Sequence, residues 1–84
     1  MYKSKIVGLG KFLPDNVVTN DELANKIDTS NEWIVERTGI EERRHVVNGD
    51  GNTTASMGAK AARTALKNAN MSANDIDLIL FATF

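Results

Sequence analysis

A chain of 84 residues with 42% apolar and 25% charged side chains has an ordinary globular composition, yet at this length it buries only roughly 60–65% of its unfolded surface. Ten basic side chains against eleven acidic ones leave a net charge of -1, which excludes the electrostatic footprint of a nucleic-acid or anionic-membrane binder. With no cysteine there is no disulfide framework, thiolate metal site or thiol nucleophile. No apolar run is long enough for a signal sequence or membrane span, so a cytoplasmic location is expected.

In chain order, the apolar run Ile6, Val7, Leu9, Phe12, Leu13 closes at the turn cluster Pro14-Asp15-Asn16 and predicts a buried strand over 5–13. Thr19-Asn20-Asp21-Glu22 has the Thr-x-x-Glu spacing of a capping box and opens a short helix to about Ile27. The spacing recurs at Thr29-Ser30-Asn31-Glu32, and Gly39 stands where a left-handed cap ends a second helix over 30–38. Residues 40–47 carry Ile40, Val46 and Val47 around a charged centre and predict a strand with one wet face, ending at Asn48-Gly49-Asp50-Gly51.

Asn52 or Thr53 caps a longer helix to about Asn70, whose stripe of Ala55, Gly58, Ala59, Ala62, Ala65, Leu66 and Ala69 is small enough for a neighbour to press close. The final run Leu78-Ile79-Leu80-Phe81-Ala82 lacks polar alternation and predicts a strand covered on both faces. The order β-α-α-β-α-β indicates an α/β layered fold in one folding unit. A doubly covered strand needs flanking strands that 84 residues do not supply, so the unit is expected to be a truncated part, 1–84, of a larger domain.

Three motifs fail on inspection. Gly8-Leu9-Gly10 follows a strand start like a dinucleotide fingerprint, but Leu13 occupies the third glycine position and a turn follows, so the glycines are read as letting the strand approach a packed helix or bend. The polar run 48–52 alternates oxygen ligands like a calcium loop, yet Thr53 and Ala59 stand at its sixth and twelfth positions, which leaves a polar turn. His45, the single histidine, has no nucleophile or carboxylate at a triad or metal spacing and is read as structural.

The informative constellation lies on the second helix. Trp33 and Arg37 are four apart and share a face, bracketed by the hydroxyls of Thr29, Ser30 and Thr38. An indole stacks on a purine, a guanidinium meets phosphate bidentately, and a hydroxyl reads a ring nitrogen. The same spacing also suits a buried Trp33 with Arg37 laid across it as a cation-π neighbour. Spacing leaves both open.

The string Asp28-Thr29-Ser30-Asn31-Glu32-Trp33-Ile34-Val35-Glu36-Arg37-Thr38-Gly39-Ile40 resembles the signature of the β-ketoacyl-acyl carrier protein synthase III family. Lesser matches run through Ile6-Val7-Gly8-Leu9-Gly10, Leu13-Pro14, Thr19-Asn20, Thr54-Ala55-Ser56-Met57 and Asp77-Leu78-Ile79-Leu80. Asn31 replaces the family's usual Asp, and Phe84 a smaller residue.

The resemblance implies a thiolase-like fold of αβαβα layers in a homodimer, of which this chain is the beginning of the first half. It implies an enzyme that moves an acyl group, acetyl foremost, from acyl-CoA to a cysteine and condenses it with malonyl-acyl carrier protein, releasing CO2 to start fatty acid synthesis. The CoA thioester is substrate, and no added cofactor is needed. Trp33 resembles the family's stacking partner for the CoA adenine, Arg37 a neighbour of the nucleotide, and Thr29 a hydrogen-bonding group to the ring. The family's Cys, His and Asn fall beyond this sequence, so the piece alone is expected to be inactive and to bind CoA weakly or not at all. Two alternatives remain: a non-catalytic adenine-nucleotide or CoA-binding module, and a related synthase with another acyl-CoA starter.

Overall fold

The computed structural model describes residues 2–83, which divide into two compact units. One runs from Leu13 to Asn52, and the other joins the residues up to Phe12 with those from Thr53 onward.

In the Leu13–Asn52 unit, strand β1 (Val17–Thr19) runs into helix α1 (Asn20–Ala24), and helix α2 (Asn31–Thr38) is followed by strand β2 (Glu42–Arg44). The strands pair antiparallel, with Val17 opposite Arg44, Val18 opposite Arg43 and Thr19 opposite Glu42. Adjacent bonds lengthen the ladder: the Asn20 N–H donates to the Glu41 carbonyl at 3.1 Å and the His45 N–H to the Asn16 carbonyl at 3.0 Å. Val18 and Ile34 are buried, as is Pro14. The carboxamide of Asn20, described below, is buried as well.

The helix ends follow local chemistry. Thr19 caps α1, its hydroxyl accepting from the Glu22 N–H at 3.2 Å, but α1 stops at Ala24 instead of continuing to Ile27. The second cap sits one residue later than the box spacing predicted. Ser30, not Thr29, has the extended backbone of an N-cap and accepts from the Trp33 N–H at 3.2 Å. Gly39 closes α2 in the left-handed region at φ 72°, its N–H donating to the Val35 carbonyl at 2.8 Å. The predicted strand over 40–47 contracts to Glu42–Arg44. Its partner β1 lies in what the sequence placed between a turn and a cap.

In the other unit, helix α3 (Thr54–Ala69) is capped by Thr53 and Ser56 reciprocally: each backbone N–H donates to the other's hydroxyl, at 2.9 and 3.0 Å. Asn70 ends it at φ 56°, and the Met71 N–H reaches back to the Leu66 carbonyl at 2.9 Å in a Schellman closure. The small-residue stripe does what its composition predicts. A Cβ added at Gly8 would lie 2.6 Å from the Ala65 carbonyl oxygen and 2.8 Å from the Ala69 Cβ, so the chain passes the helix with no room for a side chain. Asn68 pins the same segment by donating from Nδ2 to the Leu9 carbonyl at 2.8 Å. Gly8 and Gly10 are therefore packing glycines, as expected against the dinucleotide reading.

The two long apolar runs are corrections. Neither 5–13 nor 78–82 forms a strand; the described residues hold one sheet, of two strands, β1 and β2. Nor are these runs buried, with Ile6 80% and Leu80 88% exposed. Apolar, β-branched sequence states a preference for a covered sheet, but a strand exists only through a hydrogen-bonded neighbour, and no ladder partner flanks these runs here. After α3 a single 3-10 turn, Ala73–Asp75, is capped by Asp75, which accepts from the Ser72 N–H at 2.9 Å.

Candidate functional site

The sequence-predicted site residues are carried by α2 and the turn entering it. Helix spacing puts Arg37 one turn beyond Trp33, and the Arg37 Cζ lies 4.8 Å from the centroid of the indole. This is the cation-π pair that spacing allowed. The burial that accompanied it in the bland reading does not occur, because Trp33 is 52% exposed. An indole steadied by a guanidinium yet open to solvent offers area for stacking at little entropic cost.

Beside the ring is an open pocket of about 320 Å³ lined by Asp28, Thr29, Ser30 and Trp33. The three hydroxyls expected to bracket it part company. Ser30 is occupied as the N-cap of α2. Thr38 is occupied at the other end, its hydroxyl donating to the Ile34 carbonyl at 2.7 Å and accepting from the Ile40 N–H at 3.0 Å. Thr29 Oγ1 alone is buried with no hydrogen-bond partner among the described residues. A buried polar atom without a partner costs about 1–3 kcal/mol, so a native hydroxyl of this kind calls for a partner from outside the chain, water or ligand.

Nothing in the sequence signalled a buried polar network that holds α2. Asn20 is 1% exposed, and its Nδ2 donates to Asn31 Oδ1 at 2.9 Å and to the Ile40 carbonyl at 2.8 Å. Its Oδ1 accepts from Arg43 Nη2 at 2.7 Å. A polar residue in the first turn of a capped helix ordinarily faces water, and its partners lie 11 to 23 residues away, so no local pattern could have singled it out.

The motifs set aside remain so. Asp50 turns its carboxylate onto its own loop, accepting from the Val47 and Asn52 N–H groups at 2.9 and 2.8 Å, as an Asx-type turn does. No group of three or more metal-ligating side chains gathers among the described residues. His45 is exposed and engaged through its backbone.

Similarity to known proteins gives the family of the chain. No family profile matches the chain. The β-ketoacyl-acyl carrier protein synthase III of Sinorhizobium medicae is 53% identical over 83 residues, 99% of this chain and 25% of that protein. The enzyme of the same name from Ehrlichia canis is 52% identical over the same coverage. The chain belongs to the β-ketoacyl-acyl carrier protein synthase III family. It spans about a quarter of the length of these curated relatives.

Solved structures agree. 3-Oxoacyl-acyl carrier protein synthase III of Aquifex aeolicus superposes with a TM-score of 0.77 at 46% identity, covering 87% of this chain and 23% of that one. A priming β-ketosynthase from a polyketide biosynthetic pathway does so with a TM-score of 0.77 at 37% identity, covering 87% and 21%. The synthase III chain is thus a small α/β piece of the thiolase-like fold. No helix among its described residues is long and apolar enough to cross a membrane.

Proposed function

We propose that this chain supplies the nucleotide-binding edge of an initiating condensing enzyme of fatty acid synthesis, one that joins an acyl-CoA, acetyl-CoA first, to malonyl-acyl carrier protein with loss of CO2. These 84 residues contain no cysteine, so their part in the reaction is to hold substrate. Trp33 stacks on the adenine of CoA, Thr29 hydrogen-bonds the ring, and Arg37 faces the nucleotide phosphates. The acyl-CoA is substrate, and no added cofactor takes part.

The observation that carries this reading is the convergence of an unpartnered Thr29 hydroxyl and a half-exposed, arginine-backed Trp33 on one pocket. A purine offers a flat π-face for the indole and ring nitrogens for the hydroxyl, so one ligand class answers both. The family membership supports the same ligand. The shared length with relatives, about a quarter, supports reading the chain as part of a longer thiolase-like domain. We read that domain as working as a cytoplasmic homodimer.

A second reading within the family keeps the pocket and changes the acyl group. It is favoured by the likeness to a priming β-ketosynthase of polyketide synthesis, as high in TM-score as the likeness to the 3-oxoacyl-acyl carrier protein synthase III of Aquifex aeolicus. Turnover of the intact protein with malonyl-acyl carrier protein and acetyl-, branched or medium-chain CoA separates the two. Acetyl-CoA as the best starter is expected. Condensation with none of them, while CoA still binds and Trp33→Ala abolishes that binding, would replace the enzyme with a non-catalytic CoA-binding module.

A further inference from the structure

Asn20 holds both ends of the helix that carries the pocket. Asn31, which accepts from its Nδ2, is the first residue of α2, and Ile40, whose carbonyl accepts from the same nitrogen, follows the Gly39 that closes it. The third bond, from Arg43 Nη2 to Asn20 Oδ1, reaches β2, where Arg43 stands opposite Val18. One carboxamide therefore fixes an eight-residue helix against the two-stranded ladder.

The polarity of that carboxamide has one solution. Arg43 can only donate and the Ile40 carbonyl can only accept, so Oδ1 must face the first and Nδ2 the second. Nothing in this network touches the pocket, but Thr29 and Ser30 lead into the Asn31 end of α2, and Trp33 and Arg37 lie between the two bonds.

We propose that Asn20 is a positioning residue for nucleotide binding, setting where α2 presents Trp33 and Thr29. The proposal rests on the CoA reading above. It predicts that one isosteric change has opposite outcomes at the two ends of a single hydrogen bond. Asn31→Asp leaves an acceptor facing the Asn20 Nδ2 and is tolerated. Asn20→Asp turns a carboxylate oxygen toward the Ile40 carbonyl, which, unlike the Asn31 amide, cannot flip to donate.

The test is a double-mutant cycle on CoA affinity in the intact folded protein, measured by calorimetry for Asn20→Asp, Asn31→Asp, Trp33→Ala and Asn20→Asp with Trp33→Ala. Asn20→Asp is expected to raise the Kd about fivefold or more, and by less than about twofold once Trp33 is already alanine, since residues acting through one element are not additive. Asn31→Asp is expected to stay within about twofold of the parent. Should Asn20→Asp fail to fold, Asn20→Ser, which keeps one donor and one acceptor, takes its place in the same cycle. An unchanged Kd in the Asn20 variant, or additive effects with Trp33→Ala, overturns the positioning role while leaving the CoA site standing. An unchanged Kd in Trp33→Ala overturns the CoA site, and this role with it.

Discussion

The Arg37 guanidinium covers one face of the Trp33 indole at 4.8 Å and leaves the ring half-exposed. A ring so held loses little freedom when a base stacks on it. Trp33→Ala is therefore expected to weaken CoA binding by about 1–3 kcal/mol, roughly 5- to 150-fold in Kd, with a small change in stability because the ring is not part of the core. Trp33→Phe retains part of the affinity. Arg37→Lys does not substitute for Arg37, because an ammonium lacks the planar face that lies over the indole. Calorimetric titration of the variants with CoA and with adenosine checks both statements: Trp33→Ala affects both ligands, Arg37→Lys the phosphorylated one more. Equal Kd values in Trp33→Ala and parent would remove the stacking role.

Thr29 and Ser30 are adjacent hydroxyls with opposite duties, and substitution separates them. Ser30→Ala removes the N-cap of α2 and is expected to cost about 1 kcal/mol of stability. Thr29→Val keeps the shape, removes an oxygen without a partner and leaves stability unchanged or raised by up to about 1 kcal/mol, yet loses about 2- to 10-fold in CoA affinity. Thermal unfolding together with CoA titration distinguishes them. A lowered melting temperature with normal affinity in Thr29→Val would assign that hydroxyl to structure.

Gly10 and Gly8 meet backbone, whereas Gly58 meets a ring. An added Cβ at Gly10 would lie 2.5 Å from the Ala65 amide nitrogen, and at Gly8 2.6 Å from the Ala65 carbonyl oxygen. At Gly58 the nearest atoms are the outer carbons of Phe81, at 2.5 and 2.7 Å, and Phe81 is 55% exposed. Backbone cannot yield without moving α3, but a ring can swing. Gly8→Ala and Gly10→Ala are expected to destabilise by about 1–3 kcal/mol and Gly58→Ala by less, as chemical denaturation will show. The reverse order would mean that Phe81 is the firmer contact.

Gly39 is a glycine for a different reason. No atom lies within 4 Å of the position its Cβ would take, but its φ is 72°. Gly39→Ala is accordingly expected to cost about 1–2 kcal/mol from backbone strain alone, and Gly39→Asn less, since Asn tolerates the left-handed region. Equal melting temperatures for the Ala and Asn variants would show that the end of α2 adjusts.

Much of the candidate site was legible in the sequence because it is local. The Trp33–Arg37 pairing follows from helix periodicity, and the cap at Gly39 from the freedom of glycine at positive φ. The error at the start of α2, Thr29 for Ser30, arose because two neighbouring hydroxyl residues fit the same rule one residue apart. Only the backbone angles of Ser30 choose between them. That choice matters, since it leaves Thr29 Oγ1 without a partner.

Sequence alone determined the family, the existence of the three helices, the caps at Thr19 and Gly39 and the face that holds Trp33 and Arg37. All of these depend on spacing within a turn or two, or on a long matched string. Tertiary structure decided that Val17–Thr19 pairs with Glu42–Arg44, that the apolar runs near Ile6 and Leu80 have no ladder among the described residues, and that Asn20 is buried. Here the ladder and the buried carboxamide join groups 11 or more residues apart, and hydrogen bonds between such groups leave no period in the chain.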